Sequence, residues 1–146
     1  MADLWILGVQ TGLRIGELLQ LRFTDLNVDT LDLSIFDNKC KTPKNNCIRL
    51  SSEASKVILK IRKNHPKDIY VFQSRNSRSV INIKPKPISR QAVYKAFKDI
   101  SDILNRKLSP NIMRRLAAIK LMTENPSLDF TKNPKLVSEI LKYNFK

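Results

Sequence analysis

The spacing of apolar residues changes period along the chain, and that change limits the fold. Leu4 to Gln10 reads as the end of a helix closed by Gly12, and Arg14 to Leu21 as a further turn or two with Leu18, Leu19 and Leu21 facing inward, a surface that Phe23 and Leu26 continue. Leu31 to Phe36, "LDLSIF", then alternates strictly, placing Leu31, Leu33 and Ile35 on one face of a half-buried strand. A polar connection, "DNKCKTPKNN", leads to a second strand, "CIRL" from Cys47 to Leu50, making a β-hairpin whose tip carries Lys39, Lys41 and Lys44.

The helical period then returns. Ser51 is placed to cap a helix running to about Lys63, with Ala54, Val57, Ile58 and Ile61 at helical spacing. Beyond the His65-Pro66 break, "IYVF" at Ile69 to Phe72 offers a third strand. Gln73 to Pro87, rich in Ser, Asn, Lys, Arg and Pro, reads either as a basic loop suited to a phosphate backbone or as solvated linker. Ser89 opens an amphipathic helix with Val93, Phe97, Ile100 and Leu104 on one stripe. Ser109-Pro110 starts another, since Pro is favoured at the first helical position. "TENPSLDFTKNP" breaks into a loop, and Pro134 begins a last short helix through Leu141. The expected class is α+β, mainly helical with a small three-stranded antiparallel sheet.

Length and charge bound the partner. The 146 residues, 42% hydrophobic, suit one domain with one substantial core. The 27 Lys+Arg against 13 Asp+Glu leave a net charge of +14, which attracts polyanions, nucleic acid first among them. The basic residues are interleaved with apolar positions, as on a folded surface. Cys40, Cys47 and the single His65 fall short of a four-ligand zinc pattern, and no metal site is expected. Neither a secretory signal nor a membrane-spanning run is visible, which points to an intracellular protein with reduced cysteines.

Three groups of basic residues stand out: Arg14 after the Thr-Gly turn, the hairpin lysines, and Arg114 with Arg115 early in the last clear helix. Two guanidinium groups and an ammonium meeting at one point would clamp a phosphodiester, because arginine offers paired donors that match phosphate oxygens and lysine a movable point charge. The structural alternatives are an ion pair of Arg14 with Glu17 or Asp25, a surface position for Arg115, a capping role for Asn111, and packing roles for Tyr70 and Tyr94. Spacing alone leaves these open.

These segments carry a resemblance. "TGLRIGELLQLRFTDL" looks like the first arginine box of the tyrosine recombinases, the phage integrase family, with its T-G-x-R-x-x-E-L-x-x-L pattern. "KTPKNNCIRL" is similar to the family's lysine stretch, and "ISRQAVYKAFKDI" to the helix ahead of its second box. "LSPNIMRRLAAIKLM" resembles S-P-H-x-L-R-R-T-x-A-T-x-L, and "LVSEILKY" the segment that usually ends in Leu-Gly-His. The resemblance implies a tyrosine recombinase catalytic domain in which Arg14 and Arg114 bind the non-bridging oxygens of the scissile phosphate. Lys41 would protonate the departing 5′ oxygen, and no metal or nucleotide cofactor is implied. Asn111 stands where the family has histidine, and an amide donates a hydrogen bond but does not relay a proton near neutrality. Tyr143 stands where the family has a histidine or tryptophan phosphate donor, or else is a displaced nucleophile. The usual nucleophile position falls past Lys146, so residues 1–146 are expected to be one catalytic domain truncated at both ends, without the core-binding domain.

The function so implied is site-specific DNA recombination or integration through a phosphotyrosyl intermediate, on double-stranded DNA, by homo-oligomers in the cytoplasm or nucleoid of a prokaryotic cell. The alternatives are a non-catalytic DNA-binding fragment or degenerate integrase, favoured by Asn111 and Tyr143, and a basic RNA-associated protein.

Overall fold

The computed structural model describes residues 1–27, 32–36, 45–75 and 84–124. Helix α1, Ala2–Thr11, buries Leu4 and Leu7 and ends where expected: Gly12 takes the left-handed conformation (φ 65°, ψ 12°), and its N–H reaches the Gly8 carbonyl at 2.9 Å. A residue without Cβ adopts that conformation freely. Helix α2, Ile15–Gln20, buries Leu18 and Leu19, and a 3₁₀ turn, Phe23–Asp25, follows.

The strands β1 (Leu26–Asn27), β2 (Asp32–Phe36) and β3 (Asn45–Arg49) form an antiparallel sheet in the order β1-β2-β3. Leu33, fully buried, stands opposite Leu26 on one side and Ile48 on the other. The third strand is therefore Leu26–Asn27 and not Ile69–Phe72, which corrects the sequence expectation. The reason is local. The Gln73 side-chain oxygen accepts the N–H groups of Ile69 (2.9 Å) and Tyr70 (3.4 Å), donors that a strand would give to its neighbour. Tyr70 makes only an isolated bridge to Arg22, while Val71 and Phe72 are buried in the core all the same.

Helix α3, Ser52–Asn64, starts on the expected cap, with Ser51 Oγ accepting the Ala54 N–H at 3.2 Å, and buries Ala54, Val57, Ile58 and Ile61. Helix α4, Arg90–Leu104, is capped by Ser89, whose Oγ accepts the Ala92 N–H at 3.1 Å. Its stripe is covered only at the start: Val93 and Phe97 are buried, but Ile100 and Leu104 are exposed. Tyr94 is exposed as well, against the packing role expected for it. Helix α5, Asn111–Glu124, begins one residue later than expected, because Pro110 sits buried in the preceding turn, where its carbonyl accepts the Met113 N–H. The hairpin tip, the segment around Pro134 and the centre of the Gln73–Pro87 stretch lie outside the described residues.

Helix α1 is the centre of the packing, with α3 and α5 against it, while α2 packs on α4. Trp5 of α1 and Phe97 of α4 meet with ring centroids 6.0 Å apart. One amide ties three segments together: Gln10 Oε1 accepts from Ser51 Oγ (3.0 Å) and Lys120 Nζ (2.7 Å), and Gln10 Nε2 donates to Glu53.

Candidate functional site

The candidate site is built on the three-residue turn between α1 and α2. Thr11 Oγ1 donates to the Leu7 carbonyl (2.7 Å) and accepts the Leu13 N–H (3.4 Å), so the threonine holds both sides of the Gly12 reversal. Leu13 is buried, which turns Arg14 outward in extended conformation (φ −63°, ψ 145°) as the residue preceding α2. Glu17 then closes the turn: its Oε2 accepts the Arg14 N–H at 2.7 Å and its Oε1 takes Arg14 Nη1 at 3.3 Å. This is the carboxylate half of a capping box. The ion pair with Glu17 considered from sequence is present, yet it engages one corner of the guanidinium, and the Arg14 side chain remains 65% exposed. Asp25 serves elsewhere, accepting the Arg22 N–H at 2.9 Å.

Arg114 reaches the same turn from the far end of the chain. Its Nε donates to the Gly12 carbonyl at 3.0 Å, two residues from Arg14. This approach requires α5 to lie almost against the α1 backbone, and two glycines permit it. A Cβ on Gly8 would stand 2.5 Å from Met113 Sδ, and one on Gly12 would stand 3.2 Å from Ala117 Cβ. Arg115 is half-buried beside Arg114. Asn111 is exposed, one helical turn ahead of Arg114 and so on the same side of α5. Arg14 and Arg114 thus come from two ends of the sequence to one turn. Lys41 and Tyr143 lie outside the described residues. Tyr70 is half-buried, with the Arg22 guanidinium 5.3 Å from its ring centroid.

The structure adds a cation that the sequence did not single out. The guanidinium of Arg90, the first residue of α4, lies across Gly16 of α2, with Cζ 2.9 Å from the position a Cβ there would take. The available signal was the glycine itself, set inside a helix of good helix formers. Among the described residues no group of three or more His, Cys, Asp or Glu side chains is arranged to hold a metal ion, and no helix is long and apolar enough to cross a membrane.

Residues 4–133 match the phage integrase family. The chain belongs to that family. As a phage integrase relative it shares its fold with the Tn1549 transposon integrase, solved in complex with circular intermediate DNA (TM-score 0.68, 15% identity, covering 98% of this chain and 50% of that one). It is similar also to XerA recombinase (TM-score 0.62, 16% identity, 98% and 52%). A third is XerH site-specific recombinase bound to difH substrate in a pre-cleavage complex (TM-score 0.62, 19% identity, 98% and 42%). The chain spans about half the length of these solved recombinases. No curated protein matches it.

Proposed function

We propose that this chain carries the phosphate-binding part of a tyrosine recombinase that cuts and rejoins double-stranded DNA at specific sites. The observation supporting this most directly is the Arg114–Gly12 hydrogen bond, which draws the second arginine box to the turn that presents Arg14. In the proposed reaction a tyrosine hydroxyl oxygen attacks the scissile phosphorus, the P–O5′ bond breaks, and the phosphate becomes esterified to the tyrosine. The hydroxyl proton leaves to solvent, and the 5′ oxygen takes a proton from the Lys41 ammonium. Arg14 and Arg114 bind the non-bridging oxygens and stabilise the extra negative charge of the five-coordinate transition state; a fixed donor of this kind is worth about 10² to 10³ in rate. Tyr143 is the remaining candidate for a phosphate donor or for the nucleophile. The setting is intracellular duplex DNA in a prokaryotic cell, engaged by several copies together.

Asn111 favours a second reading. An amide in place of an imidazole holds a phosphate oxygen but passes no proton, as suits a DNA-binding relative without chemistry.

A nicked suicide substrate, which traps the covalent intermediate, separates the two. With protein extended past Lys146, the expected result is a covalent adduct that Arg14→Ala and Arg114→Ala abolish while duplex binding falls only a few-fold. Loss of the adduct in Tyr143→Phe assigns the nucleophile to Tyr143. Binding without any adduct from the extended protein supports the second reading, and an adduct undiminished in Arg14→Ala overturns the clamp.

A further inference from the structure

Arg90 rests its guanidinium on a neighbouring helix while the residue itself stays exposed. It stands at the start of α4, and its guanidinium occupies the space that any side chain on Gly16 would need: from the would-be Cβ, Cζ is 2.9 Å away, Nε 3.2 Å, and Nη2 is nearest of all. The residue is exposed, and among the described residues no carboxylate pairs with it, although Glu17 follows Gly16 directly and is engaged by Arg14 instead. Successive Cα atoms are about 3.8 Å apart, so the Cα of Gly16 lies within about 7.6 Å of that of Arg14. The Arg90 guanidinium of α4 therefore rests on the first turn of α2, two residues along the chain from Arg14, on a chain whose net charge is +14.

An exposed guanidinium held in one place beside the Arg14 turn, on a chain of net charge +14, is favourably met by an anion. We propose that Arg90, seated on Gly16, is a further phosphate contact, holding the DNA phosphate next to the one bound by Arg14, and that the glycine exists to give the guanidinium that seat. This rests on the DNA-binding reading above and extends it to a residue outside both arginine boxes.

The test is the salt dependence of binding to a nonspecific duplex, where each neutralised phosphate contributes about 0.9 to the slope of log affinity against log salt. Wild type, Arg90→Ala, Gly16→Ala and the double variant are compared, with Arg14→Ala alongside. The expected result is a slope smaller by about 0.9 in Arg90→Ala, a similar reduction in Gly16→Ala with no charge removed, and no further reduction in the double variant. An unchanged slope in Arg90→Ala, with Arg14→Ala reduced, overturns the proposal while leaving DNA binding intact. So does a Gly16→Ala effect that persists in the Arg90→Ala background, since the glycine would then act through Arg14. Absence of duplex binding by the wild type overturns the broader reading instead. Melting temperatures of the four proteins separate loss of contact from loss of fold.

Discussion

Arg114 Nε donates to the carbonyl oxygen of Gly12 at 3.0 Å across 102 residues of sequence. The acceptor is a backbone group at a helix end, where carbonyls lack intrahelical partners. The bond therefore satisfies α1 and orients the Arg114 guanidinium at the same time. Arg114→Lys keeps the charge and removes the Nε–H. The expected cost is about 1.5 to 3 kcal/mol, the range for hydrogen bonds to charged groups. Urea denaturation at unchanged slope measures it, and the same variant is expected to bind duplex DNA nearly normally while losing covalent adduct formation.

Gly8 is predicted to be intolerant of a methyl group. Its would-be Cβ lies 2.5 Å from Met113 Sδ and 3.3 Å from Met113 Cβ, the latter fixed by the α5 backbone. Gly8→Ala is expected to destabilise by about 1 to 3 kcal/mol through overpacking, despite the better helix propensity of alanine. Met113→Ala, fully buried in the wild type, costs about 2 to 5 kcal/mol alone. The two together are expected to cost less than their sum, and a double-mutant cycle by thermal denaturation checks this.

The two serine caps are predicted to differ. Ser89 Oγ is exposed and is placed to accept one backbone N–H, whereas Ser51 Oγ accepts the Ala54 N–H and also donates to Gln10. Ser89→Ala is expected to cost about 1 kcal/mol. Ser51→Ala is expected to exceed it by about 0.5 to 1.5 kcal/mol, the worth of a second hydrogen bond. Equal melting temperatures for the two variants would count against the Gln10 tie.

Removal of the Glu17 carboxylate is predicted to act oppositely on stability and on binding. Glu17→Ala loses the acceptor for the Arg14 N–H and a largely exposed ion pair, together about 1 kcal/mol. It also takes a negative charge away from the proposed phosphate position, so duplex affinity at low salt is expected to rise. Fluorescence anisotropy at two salt concentrations reads the second effect, which shrinks as salt screens the site.

Features set by neighbouring residues were legible in the sequence. The caps at Ser51 and Ser89, the left-handed stop at Gly12, the buried face of α3 and the pairing of β2 with β3 all depend on contacts within a few residues or on simple periodicity. Features set by distant partners were not. The α4 stripe predicts burial of Ile100 and Leu104, but nothing in its own spacing says that the core ends near Phe97. Ile69 to Phe72 has the composition of a strand, and the glutamine three or four residues on claims its backbone donors. At the site, Arg14 was legible because a threonine-glycine turn precedes it and a glutamate follows. Arg90 was not, since its place is defined by the absence of a side chain on another helix.

Gly8 in α1 and Gly12 at its C-terminal end both face α5. The separation of the two arginine-bearing segments is consequently set by the Met113 and Ala117 side chains of α5 lying directly on the backbone at Gly8 and Gly12. Parting the two helices would take Arg114 away from Gly12, while Arg14, its side chain 65% exposed, keeps its tie to Glu17.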